Sequence, residues 1–396
     1  MPVIEDPAAA APAPTDAEVF AAHLGGKLRI QPPTAVLDAR SLSVISTPGV
    51  ATVSRAIAAD PSLAARYTWA HRLVAVVSDG TAVLGLGDVG PTAALPVMEA
   101  KSAMFKSLGG LDSVPLVLHG GPDVPIGDVV DTLVRLRPSF GAVNLEDVAA
   151  PRCFELEAAL IEALDCPVMH NDQHGTAIAI LAALRGAARL QRRELGELRA
   201  VVAGAGAAGA ACARMLVGAG VGEVVVLDSR GVLHPLRPGL VPHKLELAAL
   251  TNRRGRTGGL ADVLPGADVF VGLSSSRVGE ELIASMAPGA IVFALSNPVP
   301  EVDPAVARRH AAVVATGRSC WPNQISNLLA CPGVFRGALD AGATRITDAM
   351  KFAAADALFE LAAEDLSAES VVPDVLDPRV APEVAAAVAA AAAAAG

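Results

Sequence analysis

Three carboxylates, Glu146, Asp147 and Asp172, lie in two acidic stretches that contain no thiolate. These are Asn144-Leu145-Glu146-Asp147 and Asn171-Asp172-Gln173-His174-Gly175-Thr176-Ala177. All-oxygen ligation suits Mg²⁺ or Mn²⁺, with the remaining positions left for substrate and water. Downstream the chain reads Gly204-Ala205-Gly206-Ala207-Ala208-Gly209, a Gly-x-Gly-x-x-Gly loop. In a dinucleotide-binding unit the first glycine makes the turn, the second lets backbone approach a pyrophosphate, and the third packs helix on strand. The N–H groups of Ala207, Ala208 and Gly209 then open a helix whose N-terminus favours an anion. A hard cation beside a dinucleotide equips a protein for metal-assisted redox chemistry on a small hydroxy acid.

Each signal has a blander counterpart. An isolated Glu-Asp is more often a helix cap or surface pair, and one glycine loop says little in a chain with 36 glycines. Context raises the loop: a strand, Arg199–Ala203, precedes it and a helix follows through Leu216. Asp228 closes the next strand, 19 residues after Gly209. Asp228 is placed to accept from an adenosine ribose hydroxyl, which favours NAD, whereas Arg230 two residues on suits the 2′-phosphate of NADP. His170 and His174 are read as helix-start or hydrogen-bonding residues rather than ligands.

The elements that must hold these groups alternate between strand and helix. Leu73–Val77 and Val114–Leu118 read as buried strands, Met98–Leu108 and Phe154–Leu164 as helices. Further strands are expected at Val224–Asp228, Val269–Val271, Ile291–Ala294 and Val313–Ala315, with helices at Ile346–Leu361 and Glu383–Ala395. The last of these, an alanine run, reads as a fraying helix. The pattern is α/β: an N-terminal α/β substrate and metal domain over 17–170, then a doubly wound Rossmann-type sheet over 171–337. A helical segment follows over 338–396, and residues 1–16, rich in Pro and Ala, read as a disordered tail.

At 396 residues two domains are the default. A net charge of −10 without a basic run argues against a nucleic-acid partner. Five cysteines without Cys-x-x-Cys spacing are neither a disulfide framework nor a thiolate zinc site, which fits the cytoplasm. The most apolar runs, near Ala200–Ala213 and Val384–Ala395, fall short of the ~20 residues a membrane span needs. A soluble protein acting on a small molecule is expected.

From about Leu42 to Leu361 the chain resembles the malic enzymes, in their short bacterial form. The resemblance runs through Thr47-Pro48-Gly49-Val50, Asp79–Gly87, Leu95-Pro96-Val97-Met98-Glu99, Asn144–Asp147 and Pro151–Glu155. It continues through Asp172–Thr176, Phe293–Pro298 and Pro322-Asn323-Gln324. It implies oxidation of (S)-malate with NAD(P) and decarboxylation to pyruvate and CO₂, using Mg²⁺ or Mn²⁺, in a homodimer. By motif, Glu146, Asp147 and Asp172 would be metal ligands and Lys101 the general base. Asn297 and Asn327 would hold the substrate carboxylates. A lysine beside a dication is expected to have a lowered pKa.

Two catalytic positions depart from the pattern. Ser46 stands where the family has the tyrosine that protonates the enol, and Asn171 where it has an aspartate that orients and charges the lysine. Ala100 and Ser326 replace a glycine and an asparagine. Losing a positioned general acid typically costs about 10²–10⁴-fold. Three outcomes follow from the sequence: a decarboxylase acting on malate or on a hydroxy diacid bulkier at C3, a silent homologue that binds dinucleotide or diacid, or a dehydrogenase that stops at the keto acid.

Overall fold

Runs of buried β-branched residues build two parallel sheets, the kind covered by helices on both faces. The computed structural model describes residues 14–32, 36, 38–83 and 85–395. The first sheet contains β1 (Leu73–Ser78), β2 (Asp112–Val117), β3 (Ala142–Leu145) and β4 (Val168–His170), in the order β2-β1-β3-β4. The second contains β5 (Arg199–Ala203), β6 (Glu223–Asp228), β7 (Gly231–Val232), β8 (Val269–Gly272), β9 (Ala290–Ala294) and β10 (Ala311–Thr316). Its order is β10-β9-β8-β5-β6-β7, parallel except for the β6–β7 pair. The strand order reverses between β5 and β8, so a crevice opens at their carboxyl ends, where the glycine loop begins.

The helix Asn171–Leu190 joins the sheets. Ala177 through Leu184 are all buried, the signature of a helix enclosed on every side. It packs on the helices Ala207–Gly218 and Asp348–Ala363. One contiguous core therefore runs from Val74 and Val76 of β1, through this helix, to Val202 of β5 and on to Phe335, Val384 and Val388.

Two expectations are corrected. The alanine-rich helix Val380–Ala395 is docked, not frayed: Val384 and Val388 are fully buried against the helix Cys331–Asp340. Glycines make the approach possible, since side chains at Gly333 and Gly337 would collide with Val384 and with the backbone at Ala385. Of the expected N-terminal tail, residues 1–13 lie outside those described, but Thr15 and Glu18 form a reciprocal cap on the helix Asp16–His23.

The helices Ala39–Ile45 and Gly49–Ala59 bury nothing, and Leu42, Val44, Ile45, Val50 and Val53 are exposed. Their 7 and 11 residues give lengths of roughly 10 and 16 Å, so neither crosses a bilayer alone.

Candidate functional site

The two acidic stretches meet because β3 and β4 are neighbours, with Leu145 paired to His170. Glu146 and Asp147 leave the end of β3, while Asn171 and Asp172 open the helix that follows β4. Asp147 takes a φ of 54°, a left-handed conformation that few non-glycine residues adopt and that turns its side chain back toward β4. One carboxylate oxygen from each of Glu146, Asp147 and Asp172 falls within 4.8 Å of the others. The Asp147 N–H donates to Asp172 Oδ2 at 2.8 Å, fixing the two segments together.

Lys101 enters from the long helix Gly90–Gly109, and Asn327 from the short turn Asn327–Leu329. The lysine Nζ lies 3.0 Å from Glu146 Oε1 and donates to Asn327 Oδ1 at 3.0 Å. Glu146 Oε2 accepts from Asn144 Nδ2 and from Asn171 Nδ2, both at 2.9 Å. Asn171 thus makes its bond to Glu146 rather than to the lysine it was expected to orient, and it reaches Lys101 only through that carboxylate. Ser46 is not brought into this network: it is exposed, and among the described residues its backbone bonds to Leu42 and Val50.

Charge is crowded here. Burial, then repulsion from Glu146, raises the Asp172 pKa. Burial opposes the Lys101 charge, but Glu146 and its neighbours outweigh it and hold the ammonium above its ordinary pKa. The expected lowering does not come from protein groups, and only added positive charge would reverse the sign. Three converging carboxylates, two of them buried, fit a hard divalent cation. So does the buried Asn144 Oδ1 beside them, which has no partner among the described residues.

Beneath the cluster Glu157 pins the start of the helix Asn171–Leu190. It accepts from the His170 N–H at 2.7 Å and from Gln173 Nε2 at 3.0 Å, and meets His174 Nε2 at 3.1 Å. Burial works against its charge, yet His174 and His170 bring its pKa down to about 2. His174 is therefore engaged in holding the helix.

At the second sheet the glycine loop matches its sequence logic. Gly204 has a φ of +130°, with the Leu273 carbonyl against its Cα, and Gly209 packs directly on the Gly204 carbonyl. A side chain at Gly206 would meet nothing within 4 Å, so backbone there can be approached by a ligand. The helix Ala207–Gly218 starts at that point. Beside it lies a cavity of about 540 Å³ lined by Leu273, Ser274, Leu295, Ser296 and Asn297. Gly85 of the first domain closes on the Asn297 carbonyl. Glu301, a buried carboxylate absent from the sequence reading, accepts from Ser274 N and Ser296 N at 3.1 Å each and so fixes both rims.

Asp228 differs from expectation. Its Oδ1 accepts from Arg230 N at 2.9 Å and Arg237 Nη1 at 3.0 Å; its Oδ2 accepts from Arg237 Nη2 at 2.6 Å and Lys244 Nζ at 2.8 Å. Four donors occupy the roughly four lone-pair sites of a carboxylate, leaving none for a ribose. Although burial opposes it, these bonds hold the Asp228 pKa well below the usual carboxylate range. What the strand end offers a ligand is positive charge from Arg230, Arg237 and Lys244.

Residues 26–161 match the family model described as malic enzyme, N-terminal domain, and residues 173–393 that described as malic enzyme, NAD binding domain. The NAD-dependent malic enzyme of Geobacillus stearothermophilus is 45% identical over 363 residues, 91% of this chain and 75% of that protein. The bifunctional malic/malolactic enzyme of Bacillus subtilis is 46% identical, over 90% of this chain and 87% of its own length. The NADP-dependent malic enzyme of Halomonas elongata is 44% identical, over 88% and 82%. The crystal structure of an NAD-dependent malic enzyme from Thermotoga maritima superposes with a TM-score of 0.89 at 41% identity, covering 95% of this chain and 99% of that one.

Proposed function

We propose the following division of labour among the residues of this chain, which belongs to the malic enzyme family and is an NAD(P)-dependent oxidoreductase that decarboxylates malate. Glu146, Asp147 and Asp172 would hold Mg²⁺ or Mn²⁺, which would supply Lewis-acid chemistry to the hydroxy acid. Lys101, which the positive charge of that cation would leave neutral, takes the C2 hydroxyl proton as hydride leaves for the nicotinamide. Asn327, bonded to Lys101, and Asn297, on the cavity rim, hold the substrate carboxylates. After CO₂ departs, Lys101 returns that same proton to C3 of the pyruvate enolate, which gives pyruvate directly, so the step needs no acid from Ser46. Gly204, Gly206, Ala207, Ala208 and Gly209 carry the pyrophosphate. The saturated Asp228 and its three cations favour NADP over NAD.

The observation that carries this reading is the single network joining Lys101, Glu146 and the two aspartates at adjacent strand ends. Ser46 lies outside the lysine network of its own chain, and malate itself is the substrate we assign. The exposed apolar helices Ala39–Ile45 and Gly49–Ala59, which flank Ser46, support a homodimer that covers them. Five free cysteines support a cytoplasmic location. The test is purified protein with (S)-malate, Mn²⁺ and each dinucleotide. Equal yields of reduced nicotinamide and pyruvate, abolished by chelation, are expected. Reduction that leaves a keto diacid and no CO₂ would overturn the decarboxylase reading.

A further inference from the structure

Asn171 stands where the family pattern has an aspartate, and the structure identifies its partner. Cys331 opens the helix Cys331–Asp340 with its sulfur fully buried, and Sγ donates to Asn171 Oδ1. The other end of the amide, Nδ2, donates to Glu146 Oε2 at 2.9 Å, and Glu146 Oε1 meets Lys101 Nζ at 3.0 Å. A line of four side chains therefore runs from the thiol to the lysine.

The chemistry of each member fixes the line's direction. Both Glu146 oxygens face donors, Lys101 Nζ on one side and Asn144 Nδ2 on the other, while an amide has one donating and one accepting end. With Oδ1 toward the carboxylate, two oxygens would face one another across 2.9 Å, so the donor end must point to Glu146. Oδ1 is then buried and needs a donor of its own. The thiol is that donor, and burial, which pushes its pKa up, keeps it protonated. Gly175 leaves the space, since any side chain there would strike Asn171 Oδ1, Cys331 Sγ and Asn327 Cβ. An amide at 171 and a donor at 331 thus form one unit assembled from two distant segments.

We propose that Cys331 is a positioning residue: its thiol fixes the Asn171 amide with its N–H groups toward Glu146, and so holds that carboxylate in place for both the cation and Lys101. The proposal rests on the cation site assigned above. Removing a group that orients a metal ligand typically weakens metal binding by about 10–100-fold.

The test is Mn²⁺ titration of the full chain, followed by the paramagnetic resonance of free Mn²⁺, which requires no turnover. Wild type is compared with Cys331→Val and Cys331→Ala, which lack the donor, and with Cys331→Ser, which keeps one; thermal unfolding runs alongside. About 10-fold or greater weakening in whichever donor-free variant remains folded is expected, with serine close to wild type. Adding the same change to Asn171→Ala should cost nothing more, because the two residues act as a unit. Wild-type affinity in a donor-free variant, equal losses in serine and valine, or additive losses in the double variant would each overturn the proposal. Failure of wild type itself to bind Mn²⁺ would instead overturn the cation site, and the proposal with it.

Discussion

Replacing Lys244 with alanine should change which dinucleotide the protein uses. Lys244 and Arg237 both contact Asp228 Oδ2, at 2.8 and 2.6 Å, and Arg230 donates its backbone N–H to the same carboxylate. One negative charge is thus bonded to two positive ones, while the Arg230 guanidinium, which donates to the Gly239 carbonyl, lines the same pocket as Arg237, so that a 2′-phosphate there would meet two unbalanced cations. A hydrogen bond to a charged group contributes about 1.5–3 kcal/mol. Two such bonds at the lower end amount to about 3 kcal/mol, or roughly 100-fold in kcat/KM for NADP over NAD. Losing Lys244 should lower kcat/KM for NADP by about 10-fold or somewhat more. It also vacates one acceptor position on Asp228, so NAD should be used equally well or better. Initial rates of nicotinamide reduction at saturating malate and Mn²⁺, with each dinucleotide varied, measure both effects. A wild type that prefers NAD, or a variant that loses equally with both cofactors, would refute the reasoning from Asp228 saturation.

Gly175→Ala gains roughly 0.8–1 kcal/mol of helix propensity but overpacks a site where such insertions cost about 1–3 kcal/mol, so urea unfolding should show a net loss and Mn²⁺ should bind more weakly; an unchanged or stabilised protein would contradict the contact with Asn171 and Cys331. Glu157 has its pKa depressed from 4.5 to about 2, so its contribution is present above pH 4.5 and lost as pH falls toward 2. That difference corresponds to about 3 kcal/mol, and Glu157→Gln should flatten the acid limb of a stability–pH curve; an unaltered slope would mean the group is not held as described. Val44→Asp, on the exposed apolar helices, should convert a dimer to a monomer by light scattering without unfolding it, and a wild type already monomeric would remove the reason for that surface to be apolar.

The sequence made some of this legible because some of the chemistry is local. Glu146, Asp147 and Asp172 were recognisable from short motifs, and the glycine loop from the strand before it and the helix after it. β3 and β4 escaped notice because strands of four and three residues are too short to show a period. The partner of Asn171 was invisible for a different reason: Cys331 lies 160 positions away, and nothing near either residue announces the contact. Asp228 was placed correctly at the end of β6, but the donors that surround it were not foreseen. Arg237 and Lys244 follow it by 9 and 16 positions, and only the folded loop brings them onto the carboxylate. In the C-terminal helix, alanine on every side hides the stripe marked by Val384 and Val388.

The core that passes through the helix Asn171–Leu190 binds the fates of the two sheets together. No layer of solvent separates Val74 from Val202; the same buried side chains serve both, and Asp172 is in the first turn of the helix that supplies them. A dinucleotide bound at the second sheet is therefore expected to slow amide exchange in the strands of the first, and a cation bound by the proposed carboxylates to raise the temperature at which the second melts. The shared core predicts one cooperative unit, in which a ligand bound at either sheet is sensed at the other without contact.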